Sequence, residues 1–469
     1  MNLGNSLYLC NLIEMVNAMR KIHLLYTFLF GVAAFLFFGL AYPHHLHYQE
    51  QLQLFLFDSN YVCDVVSRPG GVADLLGRFC TQFFLFAWVG AGIIAVLLSA
   101  VQLLTLRLAK WGWLYGLSYV PSLLLWLFLL DENALLGGVW AVLLTLLAIW
   151  GLGRLPNGWT RRVLIIVAIP IVYWMVGPAW TGSHYHRYPT VFPTLLYAAW
   201  LSAVVLPLIA RACHRWLPAS HSSFHISYFS FLILMGCLVW KNANFKAEKV
   251  MQYDFMARYQ QWNRILETVN AEKPNNQIGV TVQNLALAMH GMLLEQMANY
   301  NQNGIAGLLP DVKEDATSPL PTAEAFYQLG MINVAQRTVF EAQEAILDFQ
   351  KSGRCYKRLA QTNLINGQYA VARKYLSALQ KTLFYRDWAN ETLPLLGDEE
   401  AIARHPEYGR LRQSAYTEDF YFSDHVTPEM LKSLYNRNKD NRLTYQYLLA
   451  YYMLTGDREG YNNFISTEQ

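Results

Sequence analysis

Residues 224–240 read FHISYFSFLILMGCLVW, and residues 241–262 then read KNANFKAEKVMQYDFMARYQQW. The first segment is the last apolar run approaching the ~20 residues that a helix needs to cross the ~30 Å hydrocarbon core of a bilayer. The second is charged and amphipathic, and nothing after it is apolar for long enough to span again. The stretch from Ser222 to Gln260 therefore divides the chain. The residues before it read as lipid-embedded helices, and the residues after it read as a water-soluble helical domain.

Upstream of that junction the sequence holds seven apolar runs, at 22–42, 83–106, 113–130, 134–153, 163–180, 190–210 and 222–240. Aromatic residues mark their ends (Tyr42, Trp111, Trp113, Trp159, Trp180, Trp216, Trp240), where amphipathic rings prefer the headgroup level. Pro121, Pro170, Pro193 and Pro207 lie inside runs, which a membrane bundle tolerates when neighbours satisfy the freed backbone groups. The expected organisation is a leader at 1–21, a seven-crossing domain at 22–240 with a structured outer loop at 43–82, and a soluble domain at 241–469. Arg20 and Lys21, Arg107 and Lys110, Arg154, Arg161 and Arg162, and Arg211 and Arg215 fall in alternate connections. The positive-inside bias then places the N-terminus in the cytoplasm and the domain after Trp240 outside. Lys241, Lys246 and Lys249 argue mildly the other way. In a bacterium this is an inner-membrane protein with a periplasmic domain.

Composition narrows the function classes. The net charge of +3 over 469 residues is too small for a nucleic-acid footprint. Cysteines at 10, 63, 80, 213, 237 and 355 form no CxxC pair, so a thiolate zinc site is not expected. No Asp, Glu, Lys or Arg lies well inside an apolar run, which disfavours a pump or ion-coupled transporter. Phosphate-loop, nucleophile-elbow, kinase and HExxH signatures are absent.

The soluble half is predicted as helices at about 244–271, 278–300, 321–350, 353–365, 368–383, 398–415, 427–437, 441–454 and 457–466, with Gly353, Gly367, Pro394, Pro406 and Gly456 among the breaks. Within YKRLAQTNLINGQYAVARKYLSAL, Tyr356, Leu359, Ala360, Asn363, Gly367, Tyr369, Ala372 and Leu376 fall at the spacing of a tetratricopeptide (TPR) unit. In such units small residues admit two antiparallel helices and large ones fill the seam. Related spacing recurs at Phe326, Leu329, Gly330, Asn333 and Ala342, and at Tyr445, Leu448, Leu449, Tyr452, Gly456 and Tyr461. The spacings are irregular, so the expected fold class is all-α: a polytopic membrane helix bundle followed by a TPR-like domain, or a generic helical-hairpin domain.

HYQEQLQLF, RPGG, NLALAMHG and RLAQTNLINGQYAVARKYL together resemble an uncharacterised family of bacterial multi-spanning membrane proteins with a helical C-terminal domain. That resemblance implies topology and no activity. A weaker architectural resemblance is to the GT-C class of membrane glycosyltransferases, which use lipid-linked sugar donors. It implies a catalytic acid on the first outer loop, for which Glu50, Asp58 and Asp64 are candidates by position, and a divalent metal becomes possible in that case.

On the outer face, His44, His45, His47, His184 and His186 are the candidates for metal or acid–base work. The bland alternative is a wet interfacial rim. Asp74, Asp131 and Glu132 share that face. Arg68-Pro-Gly-Gly71 reads as a turn, or as a phosphate cradle of backbone N–H groups. Leu52, Leu54 and Leu56, with Phe55 and Phe57, suggest a short element lying on the membrane surface. Cys63, Cys80 and Cys355 allow at most one bridge. The leading expectation is a membrane anchor without assigned chemistry, using no cofactor and presenting a TPR-like scaffold to an envelope protein or peptide. The alternative is a glycosyl or head-group transferase.

Overall fold

The computed structural model describes residues 21–109, 111–181, 192–213, 221–311, 319–346, 350–416 and 427–468. All regular elements among them are helical. The chain separates into two units: one comprises Met1–Glu50 and Ser59–Phe245, and the other Gln51–Asp58 and Lys246–Gln469.

The first unit begins with α1 (Lys21–Ala41), whose last turn, Phe37–Ala41, is a π-helix. Three short helices follow: α2 (Pro43–Glu50), α3 (Ser59–Val66) and α4 (Gly71–Thr81). Then come α5 (Ala87–Arg107), a 3-10 segment (Gly112–Tyr119) running into α6 (Val120–Phe128), α7 (Gly137–Gly153), α8 (Trp159–Thr181), α9 (Phe192–Cys213) and α10 (His221–Asn242). Four helices, Lys21–Ala41, Ala87–Arg107, Trp159–Gly177 and Thr194–Cys213, are long and apolar enough to cross a membrane. His225–Asn242 and Phe245–Arg258, bent by 60° at the break between them, make a fifth where the pair counts as one span. Leu114–Phe128 and Gly137–Gly153 are apolar but shorter.

The expected seven full-length runs are thus four or five, for two local reasons. Pro121 sits at the first turn of α6, where its missing N–H is harmless, and the residues before it wind as 3-10 helix. Residues 131–136 form a turn, so the next run becomes helical only at Gly137.

Several polar side chains within these apolar helices find partners on neighbouring helices. Thr27 Oγ1 donates to Gln102 Oε1 (2.6 Å), Gln102 Nε2 to Ser118 Oγ (3.2 Å), and Ser122 Oγ to the Leu98 carbonyl (2.8 Å). Neutral pairs of this kind tie helices together where an unpaired polar group would be destabilising. Close approach of α4 to α7 depends on glycine, since a Cβ at Gly77 would lie 2.4 Å from the Gly137 nitrogen.

Gly70, at φ 82°, turns the chain into α4, and its N–H donates to the Trp174 carbonyl (2.6 Å). That carbonyl is open because its helical partner four residues on is Pro178, which has no N–H. The turn at 68–71 therefore spends this donor on α8.

The second unit is built from helical hairpins: α11 (Phe245–Arg258), α12 (Trp262–Glu272), α13 (Gln277–Met289), α14 (Leu293–Gln296), α15 (Pro319–Leu329), α16 (Ile332–Ala345), α17 (Gly353–Ile365), α18 (Tyr369–Leu379), α19 (Arg386–Thr392), α20 (Glu399–Arg404), α21 (Pro406–Ser414), α22 (Thr427–Arg437), α23 (Arg442–Thr455) and α24 (Arg458–Glu468). Gly330, Gly367 and Gly456 have φ of 94°, 74° and 72° and close the turns α15–α16, α17–α18 and α23–α24. That left-handed conformation favours glycine. Side-chain caps start the partner helices, with Asn276 accepting from Gly279 N–H, Ser352 from Cys355 N–H and Asn441 from Thr444 N–H. Phe326, Tyr327, Leu364 and Tyr447 are at the centre of the core.

Four predicted helices divide. The one at 278–300 breaks after Met289, and the one at 321–350 breaks at Gly330 between α15 and α16. Gln260, at φ 52°, splits 244–271 into α11 and α12. His405 is extended ahead of Pro406 and splits 398–415 into α20 and α21.

Residues 51–58 carry no helix until the chain re-enters α3, and they pack inside this second unit. Leu52, Leu54 and Phe55 are buried. The element expected on a membrane surface is a strap within the helical domain.

Candidate functional site

The second unit carries a groove of about 1050 Å³ between α16, α17, α18 and α21. Its walls present amide side chains (Asn333, Gln336, Asn363, Asn366, Gln368), cations (Arg337, Arg412, Arg437) and one acid, Glu399. Hairpin stacking positions them. Asn363 and Asn366 lie on α17 and beyond its end, and Asn366 Nδ2 donates to Asn333 Oδ1 (2.8 Å) and more weakly to Gln336 Oε1 (3.3 Å).

Arg412 on α21 donates to the Ile365 carbonyl (3.1 Å), the Leu364 carbonyl (2.7 Å) and the Tyr369 hydroxyl (2.9 Å), capping α17 while pairing with Glu399. Glu399 is therefore neutralised within the wall. Burial, then the hydrogen bond given to Glu399, hold the Tyr369 hydroxyl above its usual range, so it stays a neutral donor. Arg337 has only a loose contact with Glu341 (3.8 Å), and Arg437 is exposed. Phe340 and Val371 present exposed apolar surface to the same groove. Amide groups that both donate and accept, cations and an exposed aromatic ring suit an extended polypeptide carrying carboxylates.

Elsewhere in this unit a buried ion pair organises the strap. Arg354 Nη1 and Nη2 donate to Asp254 Oδ2 (2.6 Å) and Oδ1 (2.8 Å), and Nη1 also donates to Gln51 Oε1 (3.0 Å). Sequence reasoning missed all three residues. Asp58, a candidate acid, is paired with Lys381 (2.6 Å), and Phe57 N–H donates to the Lys381 carbonyl (2.6 Å).

In the first unit, α2 carries His44, His45, His47 and Glu50, and its His45 and Gln49 bond to the turn that follows α6. His45, almost wholly buried, donates from Nε2 to the Leu129 carbonyl (2.9 Å). Tyr42 donates to the Leu130 carbonyl (3.3 Å) and accepts from Asn244 N–H (3.0 Å). Gln49 Nε2 donates to the Asp131 and Ala134 carbonyls (both 3.2 Å). The Leu129 and Leu130 carbonyls just beyond α6 lie past the last intrahelical donors, and His45 and Tyr42 supply them with partners. Burial pushes His45 down to about 3, so it is neutral at ordinary pH.

His44 and His47 lie with ring centroids 5.8 Å apart, and Glu50 is buried at the end of α2. Asp64 pairs with Arg68, and Asp74 with Arg78. His184 and His186 lie outside the described residues. Among the described residues no group of three His, Cys, Asp or Glu side chains could share a metal ion, and no disulfide is formed.

Asp131 stands at the same turn, with Oδ1 accepting from Asn133 N–H (3.0 Å). Burial, followed by the adjacent Glu132, raises its carboxyl from 3.8 to about 7, against the lowering effect of that hydrogen bond. The folded chain therefore holds this proton more tightly than the unfolded one. The associated stability is complete below about pH 4 and is lost as pH rises through about 7. Asp131→Asn keeps the acceptor and removes the titration. It is expected to raise the stability by roughly 1–3 kcal/mol above pH 7 and to leave it unchanged below pH 4. Thermal melts of the two proteins across that range check the prediction, and a pH-independent difference would refute it.

Comparison with known proteins adds one match. A family of unknown function (DUF6057) matches residues 18–183 and 178–469. No curated protein and no solved structure matches the chain.

Proposed function

The chain belongs to that family of unknown function, and from this membership, which carries no activity with it, we propose that it is an integral membrane protein whose helical second unit binds a polypeptide. The groove between α16, α17, α18 and α21 carries the binding half of this reading. Its positive charge, on Arg337 and Arg437, exceeds its one neutralised acid, and Phe340 offers an anchor for an apolar side chain. The ligand we propose is an extended segment with one or more carboxylates, presented by another envelope protein. The irregular hairpins act here as a TPR-like scaffold.

Selection of random peptides against the full-length protein in detergent is expected to enrich Asp- and Glu-containing sequences. Arg337→Glu/Arg437→Glu should weaken the selected peptides by tenfold or more, at about 1.4 kcal/mol per decade. Equal retention by that variant and by Phe340→Asp would remove the groove from consideration.

The membrane half is supported by apolar side chains turned outward. On α8 only 11% of the most apolar stretch is buried, and Ile166, Ile169 and Trp174 are exposed. Val96 and Ile233 on other helices are likewise exposed, and the acyl region of a bilayer is the medium such surfaces require. The placement we propose is a bacterial inner membrane with the N-terminus in the cytoplasm and the second unit in the periplasm.

Cys355 is unsuited to reporting orientation because it is buried. An exposed probe, Arg373→Cys in a background with the six native cysteines replaced, serves instead. An impermeant maleimide applied to intact spheroplasts is expected to label it, and labelling only after lysis would reverse the orientation. Of the transferase candidates, Asp58 is paired with Lys381 and Asp64 with Arg68.

A further inference from the structure

Three arginines, Arg107 at the end of α5, Arg154 just after α7 and Arg211 on α9, line one cavity of about 570 Å³ at an end of the first unit. Its remaining walls are Leu108, Ile149, Trp150 and Gly153. Arg154 lies over the Trp150 ring at 3.9 Å from its centroid, and Arg211 is steadied by Nε donating to the Leu108 carbonyl (2.8 Å). None of the described residues lining the cavity is an acid. From Ala134 to Ala247 the sequence contains no Asp or Glu. The acids of the helix-rich segment 87–213 are Asp131 and Glu132, at the turn between α6 and α7, whereas Arg154 follows the other end of α7.

A second cavity, of about 310 Å³, runs between α7 and α8 and is lined almost wholly by apolar side chains, among them Leu152, Ile165, Ala168 and Ile169. Ile149 lines both cavities. From Ile165 to Val176 the apolar groove follows α8 for roughly 16 Å at 1.5 Å per residue. One amphiphile therefore matches both: an apolar chain in the α7–α8 groove and an anionic head among the arginines. We infer that the first unit holds an anionic phospholipid in this way, with its phosphate at Arg107, Arg154 and Arg211. Basic pockets between membrane helices recognise such heads by charge, and guanidinium groups match phosphate geometry.

The inference rests on the bilayer placement proposed above, which alkaline extraction of membranes tests separately. A chain released as a soluble protein defeats both readings, whereas an embedded chain without lipid selectivity defeats only this one. The experiment is native mass spectrometry of the full-length protein in neutral detergent with added dioleoyl phosphatidylglycerol or dioleoyl phosphatidylcholine. Phosphatidylglycerol is expected to remain bound at one per chain in preference to phosphatidylcholine. Arg107→Gln/Arg154→Gln should lower that retention by roughly tenfold or more. Arg161→Gln/Arg162→Gln, which makes the same charge change outside the cavity, should preserve it. Ala168→Trp fills the apolar groove and should lower retention while the protein still melts cooperatively.

Equal retention of the two lipids would overturn the assignment. So would a loss as large in Arg161→Gln/Arg162→Gln, because the attraction would then be a diffuse surface field. Complete displacement by millimolar inorganic phosphate would overturn the lipid and leave a simple phosphate site.

Discussion

Replacing Arg354 with Met destabilises the second unit by about 3–5 kcal/mol, and adding Asp254→Leu restores most of that loss. Both side chains are buried, and the guanidinium gives two parallel hydrogen bonds to the carboxylate. Removing one partner leaves the other charged, desolvated and unpaired, which is far more costly than the net worth of the pair. Removing both leaves two apolar side chains of comparable volume and no unpaired charge. Gln51 loses its bond to Arg354 in both variants, so its contribution cancels between them. Urea unfolding of the full-length protein, followed by near-UV circular dichroism, measures the cycle. A double variant no more stable than Arg354→Met alone would show that the pair contributes through packing and not through its charges.

The hairpin turns at Gly367 and Gly456 were legible in the sequence because their causes are local, whereas the helix predicted at 321–350 runs through the turn at Gly330. Gly330, Gly367 and Gly456 sit at corresponding points of the repeat spacing, and each closes a turn with positive φ. Local chemistry also explains the two shortened apolar helices, although it has to be weighed in context. Pro121 reads as a residue inside a run until the 3-10 segment before it makes it the first turn of a helix.

The strap and its ion pair were not legible. Arg354 is 100 positions from Asp254 and 303 from Gln51, and nothing in the local pattern around any of the three marks it as buried. Residues 51–54 alternate Gln with Leu, a period that suits a one-sided surface element. Here Gln51 and Gln53 are buried together with Leu52 and Leu54, so both faces are enclosed. The histidines of α2 were legible as polar residues near a helix end. The bonds that α2 makes to the turn at 129–134 depended on tertiary placement.

A fragment beginning at Lys246 is expected to fail as an independent domain, because it lacks residues 51–58. Leu52, Leu54 and Phe55 are each buried, and at about 1.5–3 kcal/mol per side chain their burial contributes roughly 5–9 kcal/mol as an upper estimate. That is comparable to the ~5–15 kcal/mol stability of a whole domain. The fragment also loses Gln51 on Arg354, Phe57 N–H on the Lys381 carbonyl and Asp58 on Lys381. It leaves the Arg354–Asp254 pair open on one side. Residues 246–469 alone should therefore show helical circular dichroism with a broad, non-cooperative melt. The same fragment with 51–58 joined to its N-terminus through a flexible Gly/Ser linker should melt cooperatively, since a tether of that kind holds the segment at millimolar effective concentration. In the linked protein, Leu52→Asp/Leu54→Asp should return the melt to the broad form, which excludes the linker itself as the cause of stability. Equal and sharp melting of the fragment with and without residues 51–58 would show that the strap is carried by the second unit without supporting it.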